Sequence, residues 1–335
     1  MTVRVAINGF GRMGRALLRL AQLPGSVLEV VAVNDLAPPP SLARLLARDS
    51  VFGRLDVPVS VEGSEMVVGE RRVAMVAEPE VKALPWGDLG VDVVAECTGR
   101  FTARDKAAAH LDAGASRVVV SAPSAGADAT IVMGVNDHLF DPEAHKVVSN
   151  ASCTTNCLAV LAKVLDDAFG IDDGFMTTVH AYTGDQSLVD SIHKDPRRAR
   201  AAAVNIVPTT TGAARATGLV LPSVEGRLDG LALRVPVVDG SVTDLVANLR
   251  RTVNTEEVNA VYRERAATGS LVGRLEFNDE PLVSSDIVGS SASCVFDAAL
   301  TMSQGRLVKV LGWYDNEWGY ANRLAELVGL VGSAS

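Results

Sequence analysis

A single thiol sits where a helix should begin, and a histidine follows it at the end of an apolar run. The segment Ser152-Cys153-Thr154-Thr155-Asn156-Cys157 leads into Leu158, Leu161, Val164, Leu165 and Phe169, which have helical spacing and stop at Gly170. With Ser152 or Thr154 as the cap, Cys153 falls in the positive end of the helix dipole, where a thiol is expected to ionise more readily. A fall in pKa from about 8.5 to about 6 would raise the thiolate fraction at neutral pH from roughly 3% to roughly 90%. Residues 175–179 read as a strand ending at His180, a place from which an imidazole can act as a fixed base. His110, His138 and His145 lie in segments without other chemical signals and are read as structural.

The same region is equipped for anions. Residues 181–204 form a long polar stretch without helix or strand pattern and contain Thr183, Asp185, Arg197, Arg198 and Arg200. Arginine matches phosphate oxygens with two parallel hydrogen bonds. Thr209-Thr210-Thr211-Gly212-Ala213-Ala214 offers hydroxyls and backbone N–H groups ahead of a helix-like segment. Arg234 interrupts the apolar run 231–237, and a charge inside a strand needs a partner such as a bound phosphate.

These residues need a scaffold, and the first half of the chain reads as one. An apolar strand at 3–7 runs into Asn8-Gly9-Phe10-Gly11-Arg12-Met13-Gly14 and then into a helical pattern. Gly9, Gly11 and Gly14 fit a dinucleotide turn: the first permits the bend, the second lets a pyrophosphate approach, the third lets helix pack on strand. A second strand at 28–33 leads to Asp35, about 21 residues after Gly14. A carboxylate there accepts hydrogen bonds from ribose hydroxyls and repels a 2′-phosphate, which favours NAD over NADP. Further strands are expected at 91–95, 118–120, 131–135 and 146–148, with a helical pattern at 103–113. The alternation implies an α/β fold with a parallel sheet, and Thr98-Gly99 and Ser121-Ala122-Pro123 fall at strand ends.

The bulk numbers agree. A chain of 335 residues, 48% hydrophobic and 21% charged, suggests two globular domains. Its net charge of −9 argues against nucleic acid as the main partner. No apolar stretch reaches the length of a membrane span, and no signal-peptide pattern is visible. Cys97, Cys153, Cys157 and Cys294 form neither a disulfide framework nor a metal-ligand pattern, so a reduced, cytoplasmic protein without a metal site is expected.

The chain resembles the glyceraldehyde-3-phosphate dehydrogenases over essentially its whole length. The matching segments begin with Ile7-Asn-Gly-Phe-Gly-Arg-Met-Gly14, Ser149-Asn-Ala-Ser-Cys-Thr-Thr-Asn-Cys157 and Thr178-Val-His-Ala-Tyr-Thr183. Pro208-Thr-Thr-Thr-Gly-Ala-Ala214 and Trp313-Tyr-Asp-Asn-Glu-Trp-Gly-Tyr320 match as well. The resemblance implies a Rossmann-type doubly wound NAD-binding domain at 1–150, with a C-terminal helix at about 317–335 packing back on it. An α+β catalytic and oligomerisation domain is implied at 151–316. It also implies oxidation of glyceraldehyde 3-phosphate with inorganic phosphate and NAD, through a thiohemiacetal and a thioester on Cys153, with His180 as base. By resemblance, Gly9, Gly11, Arg12, Met13, Gly14, Asp35, Ser121 and Asn316 serve the cofactor. Thr183, Arg198 and Arg234 hold the substrate phosphate, while Ser152, Thr154, Thr211 and Gly212 lie near the attacking one. A cytoplasmic homotetramer is implied, with residues 181–204 at a subunit interface.

The departures from the family are local. Ser191-Ile192 replaces a Leu-Pro pair common in NAD-specific members, although Asp35 argues for NAD. Gly184 stands where Asn is frequent, Pro79 where many members place Arg, and Ser290-Ser-Ala-Ser-Cys294 where a histidine often occurs. An erythrose-4-phosphate dehydrogenase and a weakly catalytic, NAD-binding regulatory paralogue are the alternative readings. Cys157 shares a helix face with Cys153 and is read as a core residue rather than a resolving thiol.

Overall fold

The strand β1 (Val3–Asn8) is buried at every position except Arg4, as a strand covered on both faces should be. The computed structural model describes residues 2–334. After β1 come the helix α1 (Arg12–Ala21) and the strands β2 (Leu28–Asn34), β3 (Arg71–Val76), β4 (Val93–Glu96), β5 (Arg117–Val120) and β6 (Val147–Ser149). They lie side by side in the order β3-β2-β1-β4-β5-β6, all parallel. This is the doubly wound Rossmann order, in which the succession of strands reverses between β1 and β4. Two antiparallel strands, Val59–Glu62 and Glu65–Val68, extend the sheet beyond β3.

The chain divides into two compact units. The first comprises Met1–Ile131, His138–Ala151 and Ala321–Ser335, and the second Val132–Asp137 and Ser152–Tyr320. In the second unit the helix α2 (Cys153–Phe169) is followed by the strands β7 (Ile171–Ala181) and β8 (Val207–Thr210). The helix α3 (Ala213–Val220) and the strands β9 (Leu228–Val235), β10 (Ser241–Leu249) and β11 (Leu307–Tyr314) come next. Their sheet runs β8-β9-β7-β10-β11 and continues through Cys294–Asp297 to Leu275–Asn278. It is mixed: β7 pairs parallel with β9 and antiparallel with β10.

One face of this sheet carries α2, in which twelve of seventeen residues are buried. Gly312 on β11 makes the close approach possible. A Cβ there would lie 2.6 Å from Cys294 Sγ, 2.9 Å from Leu161 Cδ1 and 3.1 Å from Cys157 Sγ. Strand alternation then turns Met176, Thr178 and His180 inward and leaves Phe175 outward, 74% exposed, with Leu231 also exposed on the neighbouring strand.

The chain's last helix, α4 (Trp318–Ser333), begins in the second unit and ends in the first. At its far end a Cβ on Gly332 would fall 2.1 Å from Val3 Cγ1 of β1. The Arg117 guanidinium donates to the carbonyls of Val331 and Ala334 at 3.3 and 3.0 Å.

Three expected elements differ in the structure. No strand occupies 131–135: the sheet stops at Ala129–Thr130. A turn follows, in which Asn136 Oδ1 accepts from the Val132 amide at 2.8 Å and Gly134 takes a positive φ of 83°. The helical pattern at 103–113 is broken into Arg104–Ala107 and Ala109–Asp112. The run 231–237 starts earlier and ends at Val235. In each case the apolar pattern was visible but the hydrogen bonds that end an element were not.

Candidate active site

The backbone changes hand just before Cys153. Ala151 has φ 55°, the only positive value at a non-glycine position among the described residues, and its amide bonds to Ser149 Oγ at 3.0 Å. Ser152 then caps α2, its Oγ accepting the Thr155 amide at 3.0 Å. The cap is therefore Ser152 and not Thr154, whose hydroxyl meets the Tyr314 hydroxyl at 2.9 Å. Cys153 is thus the first residue of the helix.

His180 reaches it from the end of β7, with Nε2 3.4 Å from Cys153 Sγ. The imidazole is 3% exposed. Its Nδ1 lies 2.7 Å from its neighbour's carbonyl, that of Ala181. We assign the ring proton to Nδ1, donating to that carbonyl, which leaves Nε2 to accept from the thiol. Tyr314 stands edge-on to the ring at 5.9 Å and ties Thr154 to Thr178, whose hydroxyl is 2.8 Å from its own. Sequence reading assigned Tyr314 no role; the Trp313–Tyr320 motif that contains it was the available signal.

The electrostatics correct one expectation. Burial pushes the Cys153 thiol up, against the pull of the Arg234 charge and a hydrogen bond with Thr154. Burial, and next the Arg234 charge, push His180 down to about 3. Burial thus works against the helix end and raises the thiol where the sequence suggested a lowering. Cys153 keeps a partly accessible surface, so a substrate can reach it.

Arg234 is the strand neighbour of His180 in the β7–β9 pairing. Its Nη1 lies 3.0 Å from His180 Nδ1 and donates to the Ala181 carbonyl at 3.1 Å and to Thr183 Oγ1 at 3.3 Å. Arg198 donates to Thr209 Oγ1 at 2.9 Å, pairs closely with Asp185 and lies 3.8 Å from Asp195. Its charge helps to lower both His180 and Arg234. Cys153, His180, Thr183, Arg198 and Arg234 are therefore gathered in one place. Ser152 is occupied as a cap, while Thr211 and Gly212 precede α3, with Thr211 Oγ1 accepting the Ala213 amide at 3.2 Å.

The first unit holds a cavity of about 900 Å³ at the reversal between β1 and β4, walled in part by Gly9, Gly11, Asp35, Pro79 and Thr98. Gly9 has φ 93°, and a Cβ on it would strike the Thr98 amide nitrogen at 2.7 Å. A Cβ on Gly14 would meet the Gly9 carbonyl at 2.3 Å, whereas nothing lies within 4 Å of one on Gly11. The turn thus keeps an open cradle at its second glycine. Asp35 is fixed at the rim, its carboxylate accepting the Phe10 and Ala37 amides at 2.8 and 2.9 Å. Arg12 turns to Asp49 and lies over the Phe52 ring at 5.4 Å. Met13 sits half-buried beside it on α1, and Ser121 bonds the Cys97 thiol, which burial pushes up to about 12. In the second unit Asn316 Oδ1 accepts from Ser241 Oγ at 2.6 Å, leaving its amide NH₂ as a donor. Glycine cradle, fixed rim carboxylate and cavity together fit a dinucleotide.

Cys157 and Cys294 are fully buried against each other, and burial raises the Cys294 thiol. Among the described residues no group of His, Cys, Asp and Glu is arranged to hold a metal ion, and no helix is long and apolar enough to cross a membrane.

Known proteins resemble this chain from end to end. The sequence model of the glyceraldehyde 3-phosphate dehydrogenase NAD binding domain matches residues 3–104, and that of the C-terminal domain residues 152–316. Glyceraldehyde-3-phosphate dehydrogenase 2 of Streptomyces arenae is 60% identical over 334 residues, covering 100% of both chains. Glyceraldehyde-3-phosphate dehydrogenase 1 of Streptomyces avermitilis is 58% identical over 332 residues, covering 99% of each. The enzyme of that name from Mycobacterium avium is 56% identical over 340 residues, covering 100% of both.

Proposed function

This chain belongs to the glyceraldehyde-3-phosphate dehydrogenase family, and from that membership we propose that it oxidises D-glyceraldehyde 3-phosphate to 1,3-bisphosphoglycerate with NAD and inorganic phosphate. One observation carries the residue assignment: Cys153 Sγ stands 3.4 Å from His180 Nε2. As sulfur attacks the aldehyde carbon, Nε2 takes the thiol proton and returns it to the new alkoxide, giving a thiohemiacetal. The Ala181 carbonyl, bonded to Nδ1–H, supports the imidazolium during that transfer. NAD, when bound, supplies a hydride acceptor. His180 removes the hydroxyl proton as the carbonyl re-forms, so the acyl group remains on Cys153 as a thioester. Phosphate then displaces the sulfur, and the thiolate recovers its proton from His180.

Arg234 and Thr183, already in contact, hold the substrate phosphate with Arg198, whose Asp185 partner keeps the guanidinium oriented. Thr211, Gly212 and the start of α3 offer donors to the attacking phosphate, with Ser152 and Thr154 beside Cys153. Gly9, Gly11, Gly14, Arg12, Met13, Asp35, Ser121 and Asn316 serve NAD, and Asp35 excludes the 2′-phosphate of NADP. On this reading residues 1–150 with the last helix bind the cofactor, and 151–316 carry catalysis and assembly. A homotetramer is supported by the exposed Phe175 and Leu231 and by Leu188, Val189 and Ile192 in the 181–204 loop. A cytoplasmic location is supported by four free cysteines.

The test is NADH formation by pure, reduced protein. Turnover should require inorganic phosphate, prefer NAD to NADP and prefer glyceraldehyde 3-phosphate to erythrose 4-phosphate in kcat/KM. A protein without phosphate-dependent turnover refutes the proposal.

A further inference from the structure

Beneath the 900 Å³ cavity, three neighbouring strands end in polar residues that face one another. Asn34, Asn8 and Glu96 occupy one register row across β2, β1 and β4, at the point where strand order reverses. All three are almost completely buried, as is His110 on the short helix Ala109–Asp112. A buried polar row in a parallel sheet must be hydrogen-bonded throughout, and this one is.

The direction of every bond follows from one end. The Trp86 indole is a donor only, and its Nε1 lies 3.0 Å from His110 Nδ1. His110 Nδ1 must therefore accept, and Nε2 donates to Glu96 Oε2 at 3.0 Å. The same oxygen accepts from Asn8 Nδ2 at 2.6 Å, and Oε1 accepts the Thr98 amide at 2.8 Å and the Thr98 hydroxyl. Glu96 is a carboxylate surrounded by four donors. With Nδ2 so committed, Asn8 Oδ1 accepts from Asn34 Nδ2 at 2.7 Å. Asn34 then takes the Glu78 amide on Oδ1 at 2.9 Å and donates to the Glu78 carbonyl at 3.0 Å.

The chain reaches the walls of the cavity at both sides, at Thr98 and at Glu78, with Asn8 and Asn34 between them also lining it. Thr98 is the residue against which Gly9 packs, and residues 78–80 line the rim opposite. We propose that Glu96 is a positioning residue for the cofactor, its carboxylate holding Thr98 directly and the 78–80 segment through Asn8 and Asn34 in the shape that NAD requires. The proposal rests on the cavity being the NAD site. It assigns no contact between Glu96 and the cofactor; the effect passes through the neighbours.

Glu96→Gln tests the polarity of the row. Its amide brings a fifth donor among four, so whichever way it turns one pair of donors is opposed, and the walls must shift. Kd for NAD, titrated by quenching of protein fluorescence without substrate, should rise about tenfold, the worth of a lost buried hydrogen bond, and KM for NAD with it, while kcat stays within about threefold of the starting enzyme and KM for glyceraldehyde 3-phosphate is unchanged. The double variant Asn8→Asp/Glu96→Gln moves the carboxylate one residue along the row: the new amide donates to the new carboxylate, whose oxygen replaces Asn8 Nδ2 at 3.4 Å from His110 Nε2 and is the acceptor to which that ring N–H must turn. It should recover most of the NAD affinity, which two additive packing defects would not. Should Glu96→Gln fail to fold, Asn34→Ala cuts the row at the 78–80 end and should raise KM for NAD severalfold. Asp35→Asn is the control for the site itself. If it raises KM for NAD while Glu96→Gln and Asn34→Ala do not, or if the double variant is no better than the single, the positioning role is refuted. If Asp35→Asn also has no effect, the cavity assignment has failed instead.

Discussion

On the proposed mechanism Cys153 and His180 act as a pair, the imidazole taking the proton that the sulfur gives up. Burial raises the thiol, and burial with the Arg234 charge lowers the imidazole to about 3, so above about pH 4 His180 remains an unprotonated acceptor. On that mechanism the proton leaves sulfur as the aldehyde carbon arrives. This has a consequence for pH dependence. With His180 present, alkylation of Cys153 by iodoacetamide should vary little between pH 6 and pH 8. In His180→Asn the acceptor is gone, and the rate must follow the thiolate fraction of a thiol whose pKa lies above the ordinary range. Below that pKa the fraction rises with pH, so the variant should react at least tenfold more slowly at pH 7 and recover about tenfold per pH unit. Its dehydrogenase kcat should fall by a factor of about 10² to 10⁴. A variant that alkylates at the parental rate at pH 7 would remove His180 from the chemistry.

At the scale of elements, the site depends on how closely α2 lies on its sheet. Gly312 sets that distance, and Gly312→Ala must displace Cys294, Leu161 or Cys157. Overpacking of this kind should cost about 1–3 kcal/mol, read as a lower urea midpoint with the slope unchanged. What the sequence made legible follows the range of the interactions. The glycine turn, the Ser152 cap and the strand ending at His180 are local patterns, and each stands where its neighbours placed it. The break between Arg104–Ala107 and Ala109–Asp112, and the turn that replaces a strand at 131–135, were hidden because apolar spacing does not reveal where a backbone bond changes partner. Tyr314 was hidden for a different reason: its hydroxyl meets Thr154, 160 positions away. His110 looked inert alone, since Trp86 and Glu96 become its neighbours only in the folded sheet. The pKa of Cys153 was misjudged because a helix end is visible in sequence whereas burial is not.

For the molecule as a whole, the outward side of the second sheet is the surface to explain. Phe175 and Leu231 are exposed there beside the Lys309–Asp244 ion pair, and Ile192 projects from the loop fully into solvent. If these surfaces join copies of the chain, Phe175→Asp or Ile192→Asp should convert a tetramer into smaller species, measured as molar mass by light scattering at micromolar concentration. A monomeric parent, or charged variants of unchanged mass, would count against assembly through these surfaces. A different consequence concerns the order in which the chain is made. Gly332 packs against Val3, and Arg117 grips the carbonyls of Val331 and Ala334, so the earliest strand to leave the ribosome waits for the last helix. The helix α2 and the strands β7 to β11 all precede that helix in the chain, but the sheet begun first is finished last. A stalled message that stopped short of Val331 would leave Val3 and Arg117 without these partners, an open flank for chaperones to hold.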